Sequence, residues 1–112
     1  MRILVVDNDA RGREVLVQRL RNRQLEAESA QTAAEAVERM SASRYDVVLL
    51  EVVMPHSAAR DVFTCMQHLP SPPRCIVMSG VAYLWKRANP EVKIAGVLEK
   101  PFRFEELLRL IA

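Results

Sequence analysis

The chain has 112 residues, of which 50% are hydrophobic and 27% are charged, and its formal net charge is +2. This length fits a single domain over residues 1–112, and so small a charge gives no reason to expect direct binding of nucleic acid. No apolar run suits a signal peptide or a membrane span of roughly 20 residues, so we expect a cytoplasmic protein without membrane contact.

The first segment predicts a strand, an acidic loop and a helix. Residues 2–6 form an apolar run rich in β-branched side chains, and Asp7, Asn8 and Asp9 follow it directly. Apolar residues then recur at helical spacing at Val15, Leu16 and Leu20. Five arginines spread around this helix, so we expect a solvated face and no phosphate-binding stripe: Arg11, Arg13, Arg19, Arg21 and Arg23.

The second strand and helix are also predicted from short patterns. Residues 25–29 alternate weakly between apolar and polar side chains, which is typical of an edge strand. Thr32 and Glu35 have the spacing of a capping box and predict the start of a helix. Its inward stripe is predicted to be Ala33, Ala36, Val37 and Met40.

The third strand is the most informative part of the chain. Residues 47–50 read Val-Val-Leu-Leu without polar alternation, which indicates a strand buried on both faces in a parallel sheet. Glu51 follows at the carboxyl end of this strand, where open α/β sheets place their binding and catalytic groups.

The rest of the chain continues the alternation of helices and strands. In order, we predict a helix over 58–68, a strand over 75–78, a short helix over 82–88, a strand over 96–99 and a closing helix lined by Phe104, Leu107, Leu108 and Ile111. Five strands joined by helices predict right-handed crossovers and a doubly wound α/β fold.

Polar side chains follow four of the predicted strands and should meet at one edge of the sheet. They are Asp7, Asn8, Asp9, Glu51, Ser79 and Lys100. Clustered carboxylate and amide oxygens suit Mg²⁺, whereas a lysine and a hydroxyl suit the oxygens of a phosphoryl group.

Four short motifs, placed along the predicted alternation of strands and helices, resemble the receiver domain of two-component response regulators. The resemblance covers the whole chain. The motifs are Val5-Val6-Asp7-Asn8-Asp9, Asp46 to Glu51 with Met54-Pro55, Met78-Ser79-Gly80, and Leu98-Glu99-Lys100-Pro101-Phe102. The resemblance implies a flavodoxin-like five-stranded parallel sheet of order 2-1-3-4-5 with about five helices. It also implies a cis Lys100-Pro101 bond, and a phosphoacceptor aspartate at the position of Glu51.

The resemblance further implies a role for each residue of the cluster. Asp7 and Asn8 correspond to an acidic pair that holds Mg²⁺, and Val53 would lend a backbone carbonyl to the ion. Ser79 corresponds to the hydroxyl that bonds the phosphoryl group, and Lys100 to the family's invariant cation. A weak Mg²⁺ site at Asp7, Asn8, Glu51 and Val53 is therefore possible, and no other cofactor is implied.

Three positions depart from the family pattern. The extra methylene of Glu51 moves the carboxylate by about 1.5 Å, roughly one carbon–carbon bond. A misplacement near 1 Å can slow a reaction on the order of 100-fold. Asn8 removes one negative charge from the metal site. Val97 stands where the family usually has a switch tyrosine or phenylalanine, so Ser79 is better interpreted as a local hydrogen-bond donor than as a conformational trigger.

These departures favour an atypical receiver, or pseudo-receiver, that acts through protein contacts and is not an enzyme. Glu51 and Lys100 should form a direct ion pair, which either fixes the loops or partly imitates the phosphorylated state. The alternative is a working receiver that accepts phosphate on Glu51 with Mg²⁺, from a histidine kinase or a small phosphodonor.

The resemblance places a partner surface for another protein or a second copy on the fourth helix, fifth strand and fifth helix. Tyr83 and Trp85 lie in that fourth helix, and we expect core packing unless a ring is exposed. Isolated His56 and His68 are not expected to bind metal or act in catalysis. Cys65 and Cys75 are expected to be reduced thiols.

Overall fold

The computed structural model describes residues 1–54 and 58–112, and its centre is a parallel sheet of five strands. The strands are β1 (Arg2–Val6), β2 (Glu26–Ala30), β3 (Val47–Leu50), β4 (Arg74–Ser79) and β5 (Gly96–Glu99). Their order across the sheet is β2-β1-β3-β4-β5, and every neighbouring pair is parallel. The predicted fold class and strand order are therefore confirmed, including the edge position of the second strand.

Helices cover both faces of this sheet. They are α1 (Ala10–Arg21), α2 (Ala33–Ala42), α3 (Ala58–Gln67), α4 (Ala82–Ala88) and α5 (Phe104–Ile111). Buried side chains of α2, α3 and α4 join one core cluster, and those of α1 and α5 join the other. Within the described part of the chain, none of these helices has the length and apolar character that a bilayer crossing requires.

Strand β3 owes its apolar sequence to its place between the two layers. Val48 and Leu50 belong to one cluster, Val47 and Leu49 belong to the other, and all four are 0% exposed. A strand covered on both faces has no solvated side, so polar alternation is absent. The N–H of Glu51 still donates to the carbonyl of Val6 at 2.9 Å, which brings Glu51 beside the end of β1.

The buried face of α1 differs from the apolar face that the sequence predicts. Val17 and Leu20 are buried, Leu16 is half-buried, and Val15 is 54% exposed. Positions 17 and 20 are three residues apart and share one face of a helix, whereas Val15 projects from another direction. Val37 in α2 and Leu108 in α5 are likewise half-buried, at the margins of their predicted stripes.

The start of α2 has the capping residues that the sequence predicts. Thr32 Oγ1 accepts a hydrogen bond from the N–H of Glu35 at 3.1 Å. The Glu35 carboxylate accepts from the N–H of Gln31 at 3.2 Å, one residue earlier than in an ideal capping box. The interaction orients the chain as it leaves β2.

Both cysteines are free thiols. Cys65 is half-buried in α3, and Cys75 is buried in β4. Burial raises the pKa of Cys75 to about 12, so this thiol stays protonated and unreactive at neutral pH.

Truncating the central strand should destabilise the domain far more than truncating an exposed position. Leu49→Ala should lower the free energy of unfolding by about 2–5 kcal/mol, because a fully buried leucine leaves a cavity. Val15→Ala, at an exposed position, should change it by about 0.5 kcal/mol or less. Urea unfolding of both variants measures the difference, and equal losses would contradict the assignment of these positions.

Candidate functional site

Three charged side chains meet at the carboxyl ends of β1, β3 and β5. Lys100 Nζ lies 2.7 Å from Asp7 Oδ2 and 2.9 Å from Glu51 Oε1. Asp7 and Glu51 are only 3% and 7% exposed, whereas the Lys100 side chain is 32% exposed. The predicted ion pair of Glu51 with Lys100 is present, and Asp7 is a second partner that the sequence did not indicate.

The carboxylate of Glu51 is held by its own loop as well as by Lys100. Its Oε2 accepts a hydrogen bond from the N–H of Val53 at 2.9 Å. Burial alone would raise the pKa of Glu51, but hydrogen bonds from the Ser79 hydroxyl, the Val53 N–H and Lys100 outweigh it. The pKa therefore lies below its usual value, and Glu51 is a carboxylate at neutral pH.

Lys100 balances two buried carboxylates with one ammonium. Burial by itself would lower the pKa of Lys100, but its hydrogen bonds and charge interactions with Asp7 and Glu51 raise it above the usual value. Two carboxylates and one ammonium give the cluster a formal net charge of one negative unit.

Asp7 is fixed by two further contacts that sequence reasoning missed. Its Oδ1 accepts a hydrogen bond from the N–H of Asp9 at 2.9 Å. The guanidinium of Arg13 in α1 donates to the carbonyl oxygen of Asp7 at 2.7 Å. Nothing in the sequence distinguishes Arg13 from the four other arginines nearby, because its role depends on how α1 lies over the loop.

Asn8 does not join this cluster. It is exposed and lines a groove of about 430 Å³ with Gln31, Thr32 and Met54, between the starts of α2 and α3. Among the described residues, its side chain makes no hydrogen bond to Asp7, Glu51 or Lys100.

The predicted carboxylate ligands of Mg²⁺ are already engaged by other groups in this arrangement. Each carboxylate oxygen of Asp7 and Glu51 already accepts a hydrogen bond, and the Lys100 ammonium bridges the two groups that would share the ion. Over residues 1–54 and 58–112, no three His, Cys, Asp or Glu side chains are placed to hold a metal. The weak Mg²⁺ site stays a prediction that this geometry does not favour.

Ser79 connects the cluster to the start of α4. It is 0% exposed, and its Oγ accepts a hydrogen bond from the N–H of Val81 at 3.3 Å. Its hydroxyl lies near the Glu51 carboxylate and helps to lower the pKa of that group. Val97 is half-buried against the cluster of α2 and α3. The Lys100-Pro101 peptide bond is cis, as the resemblance implied.

The remaining candidates lie elsewhere. His68 is exposed just after α3, near the opposite edge of the sheet, and its Nδ1 lies 2.8 Å from the Thr64 carbonyl. His56 lies outside the described residues. Of the five clustered arginines, four are exposed, which agrees with a solvated face: Arg11, Arg19, Arg21 and Arg23.

Comparison with known proteins agrees with this geometry. The family model described as "Response regulator receiver domain" matches residues 3–112. Response regulator MprA of Mycolicibacterium vanbaalenii is 31% identical over 115 residues, covering 96% of this chain and 47% of that protein. Transcriptional regulatory protein CutR of Streptomyces coelicolor is 28% identical over 109 residues, covering 96% and 50%. The chain thus spans about half the length of these two relatives.

A solved structure with the same fold is the non-phosphorylated receiver domain of HemR from Leptospira biflexa. The TM-score is 0.85 at 26% identity, with 99% of this chain and 94% of that chain covered. Since the family match also extends over almost the whole sequence, this chain belongs to the response regulator receiver domain family of two-component signalling.

Proposed function

We propose that this receiver domain acts through constitutive protein contacts, is not an enzyme, and does not pass through the usual cycle of aspartyl phosphorylation. The observation that carries the proposal is the Lys100 ammonium, which bridges Asp7 and Glu51 at 2.7 and 2.9 Å.

The environment of Glu51 opposes its use as a phosphoacceptor. A nucleophilic carboxylate oxygen must approach the phosphorus in line, with a lone pair free to form the new bond. Both oxygens of Glu51 are engaged, one by Lys100 and one by the Val53 N–H. The additional methylene also moves the carboxylate by about 1.5 Å relative to an aspartate. Attack would require repositioning a side chain that is held at both of its oxygens.

The ion cluster is instead suited to a structural role. It joins the loops after β1, β3 and β5, which carry Asp7, Glu51 and Lys100. Removing one partner from a buried ion pair leaves an uncompensated charge, which is strongly unfavourable. The three loops are therefore held together permanently by charges that the chain itself supplies.

Receiver domains interact with protein partners such as kinases and effectors. For this chain we propose that α4, β5 and α5 form the contact face for a protein or a second copy. Val81, Tyr83 and Leu84 at α4 are 40%, 59% and 62% exposed, which is unusual for large apolar side chains so close together. Trp85 is half-buried, so Tyr83 is the exposed ring that supports a contact role.

The phosphorylation test uses wild type beside the double variant Asn8→Asp with Glu51→Asp. After incubation with acetyl phosphate and Mg²⁺, we expect no phosphoryl adduct on the wild type by intact-mass measurement. The double variant should gain one, because Ser79 and Lys100 remain in place and the acceptor regains its usual length.

The single variant Asn8→Asp is the matched control and should stay unmodified, since it restores the acidic pair but keeps Glu51. A stable adduct that maps to Glu51 in the wild type would overturn the proposal and favour the working receiver. Failure of the double variant to react would show that residues other than Asn8 and Glu51 also prevent phosphorylation.

The low pKa of Glu51 predicts a specific dependence of stability on acid. The ionised carboxylate stabilises the fold fully above its unfolded-state pKa of 4.5, and this contribution is lost as pH falls through the lower folded-state pKa. Between about pH 6 and about pH 3, the wild type should therefore lose more unfolding free energy than Glu51→Gln. Urea unfolding across this range measures the difference, with exposed Glu105→Gln as the control that should follow the wild type.

The contact face can be tested by removing its exposed apolar side chains. Tyr83→Ser with Leu84→Ser should weaken self-association or partner binding by about tenfold or more, because two anchors are lost. Val15→Ser, equally exposed on α1, is the control and should leave association unchanged. Sedimentation over a range of concentrations gives the self-association constant. A wild type that stays monomeric throughout would exclude the second copy as the occupant.

A further inference from the structure

An aromatic pair joins α3 to α4. The rings of Phe63 and Trp85 are stacked, with centroids 5.4 Å apart and planes inclined by 17°. Both side chains are half-buried and pack against the cluster that also contains Val97. Such a stacked pair stabilises a contact beyond the burial of its surface.

Two open grooves border the Phe63 ring. One groove of about 580 Å³ is lined by Phe63, Met66 and the segment around Val92. The other, of about 460 Å³, is lined by Val52, Phe63, Trp85 and Val92 among others. Since the interface between α3 and α4 is open around the two rings, their contact is a principal link between these helices.

Helix α4 is too short to be stable alone and depends on tertiary contacts, which include its packing on β4 and β5. It has seven residues, and isolated helices shorter than about 12–15 residues are marginal in water. At its start, the Glu99 carboxylate accepts from the N–H of Tyr83 at 3.3 Å, and Ser79 Oγ accepts from the N–H of Val81. These two contacts satisfy N–H groups that the helix itself leaves free.

Two side-chain hydrogen bonds stabilise the end of α4 and the loop that follows it. Asn89 Nδ2 donates to the carbonyl of Trp85 at 2.8 Å, and Lys86 Nζ donates to the carbonyl of Val92 at 2.8 Å. These bonds satisfy carbonyls of the last turn and of the loop that follows. Of these attachments, the one through Ser79 leads directly toward Glu51, and Glu99 lies next to Lys100 in the chain.

We propose that Phe63 and Trp85 form an aromatic clamp that fixes α4 against α3 whatever the charge at Glu51. The clamp holds the exposed Tyr83 and Leu84 side chains in one position, so the contact face does not depend on the state of the ion cluster. Its role in signalling rests on the proposed function, because a constant face suits a domain that acts by constitutive contact. The clamp itself rests only on the geometry of α3 and α4.

Trp85 is the only tryptophan in the chain, so its fluorescence reports directly on the clamp. Phe63→Ala should shift Trp85 emission to longer wavelength and speed amide hydrogen exchange in α4 by about 3- to 10-fold, the effect of losing one aromatic pair. Phe63→Tyr should retain the emission and the exchange rates of the wild type, because it keeps the stacked ring.

Glu51→Gln is the decisive comparison, since it removes the charge at the site and leaves the clamp intact. It should leave Trp85 emission and exchange in α4 unchanged. A shift as large as that of Phe63→Ala would overturn the clamp, as would a Phe63→Ala variant indistinguishable from the wild type. If Phe63→Ala does not fold, Phe63→Leu replaces it, with the same direction of change expected.

Different measurements test the proposed function and the clamp, so one can be contradicted without the other. A phosphoryl adduct on wild-type Glu51 contradicts the proposed function, yet the clamp stands if Trp85 emission is the same before and after modification. Conversely, a change of Trp85 emission in Glu51→Gln would contradict the clamp proposal and leave the phosphorylation result unaffected.

Discussion

The whole functional edge of this domain depends on one ammonium group shared by two buried carboxylates. Asp7 and Glu51 come from different strands, and without a cation their charges would repel in a poorly solvated place. Lys100 Nζ reaches both, and its own loop thereby joins the ends of β1 and β3. Because the group is only partly exposed, the arrangement is screened less by solvent than a surface ion pair. The geometry of the loops follows from this charge balance.

Glutamate at this position is compatible with the fold and is held at both of its carboxylate oxygens. Its length lets one carboxylate oxygen reach Lys100 while the other turns back to the Val53 N–H. The same site thus retains the cation and the hydroxyl that suit a phosphoryl group but engages the oxygen atoms that would accept it. Helix α4 packs on β4 and β5, and it contacts α3 through the stacked rings of Phe63 and Trp85. The proposed loss of the acceptor and the proposed fixed position of α4 are physically consistent with one another.

Much of the fold could be predicted because a parallel sheet buried on both faces leaves a strong signal. The apolar run of β3, the polar residues at strand ends and the capping pair Thr32 and Glu35 all depend on local sequence. The predictions were weaker where a residue lies near the boundary of a helical face. Val15 and Val17 differ by two positions, and only the packing of α1 on the sheet decides which one is buried. Strand β2 begins and ends one residue later than predicted. Its weak alternation of apolar and polar residues gives little information on its bounds.

The sequence by itself determined the alternation of strands and helices, the convergence of polar residues at one edge of the sheet, and the pairing of Glu51 with Lys100. Only the tertiary structure decided that Asp7 shares the same ammonium, that Asn8 turns toward another groove, and that Trp85 packs inward while Tyr83 faces solvent. The reason is that these choices depend on distances between segments far apart in the chain. Asp7 and Lys100 are 93 residues apart, and no local pattern encodes where their side chains meet.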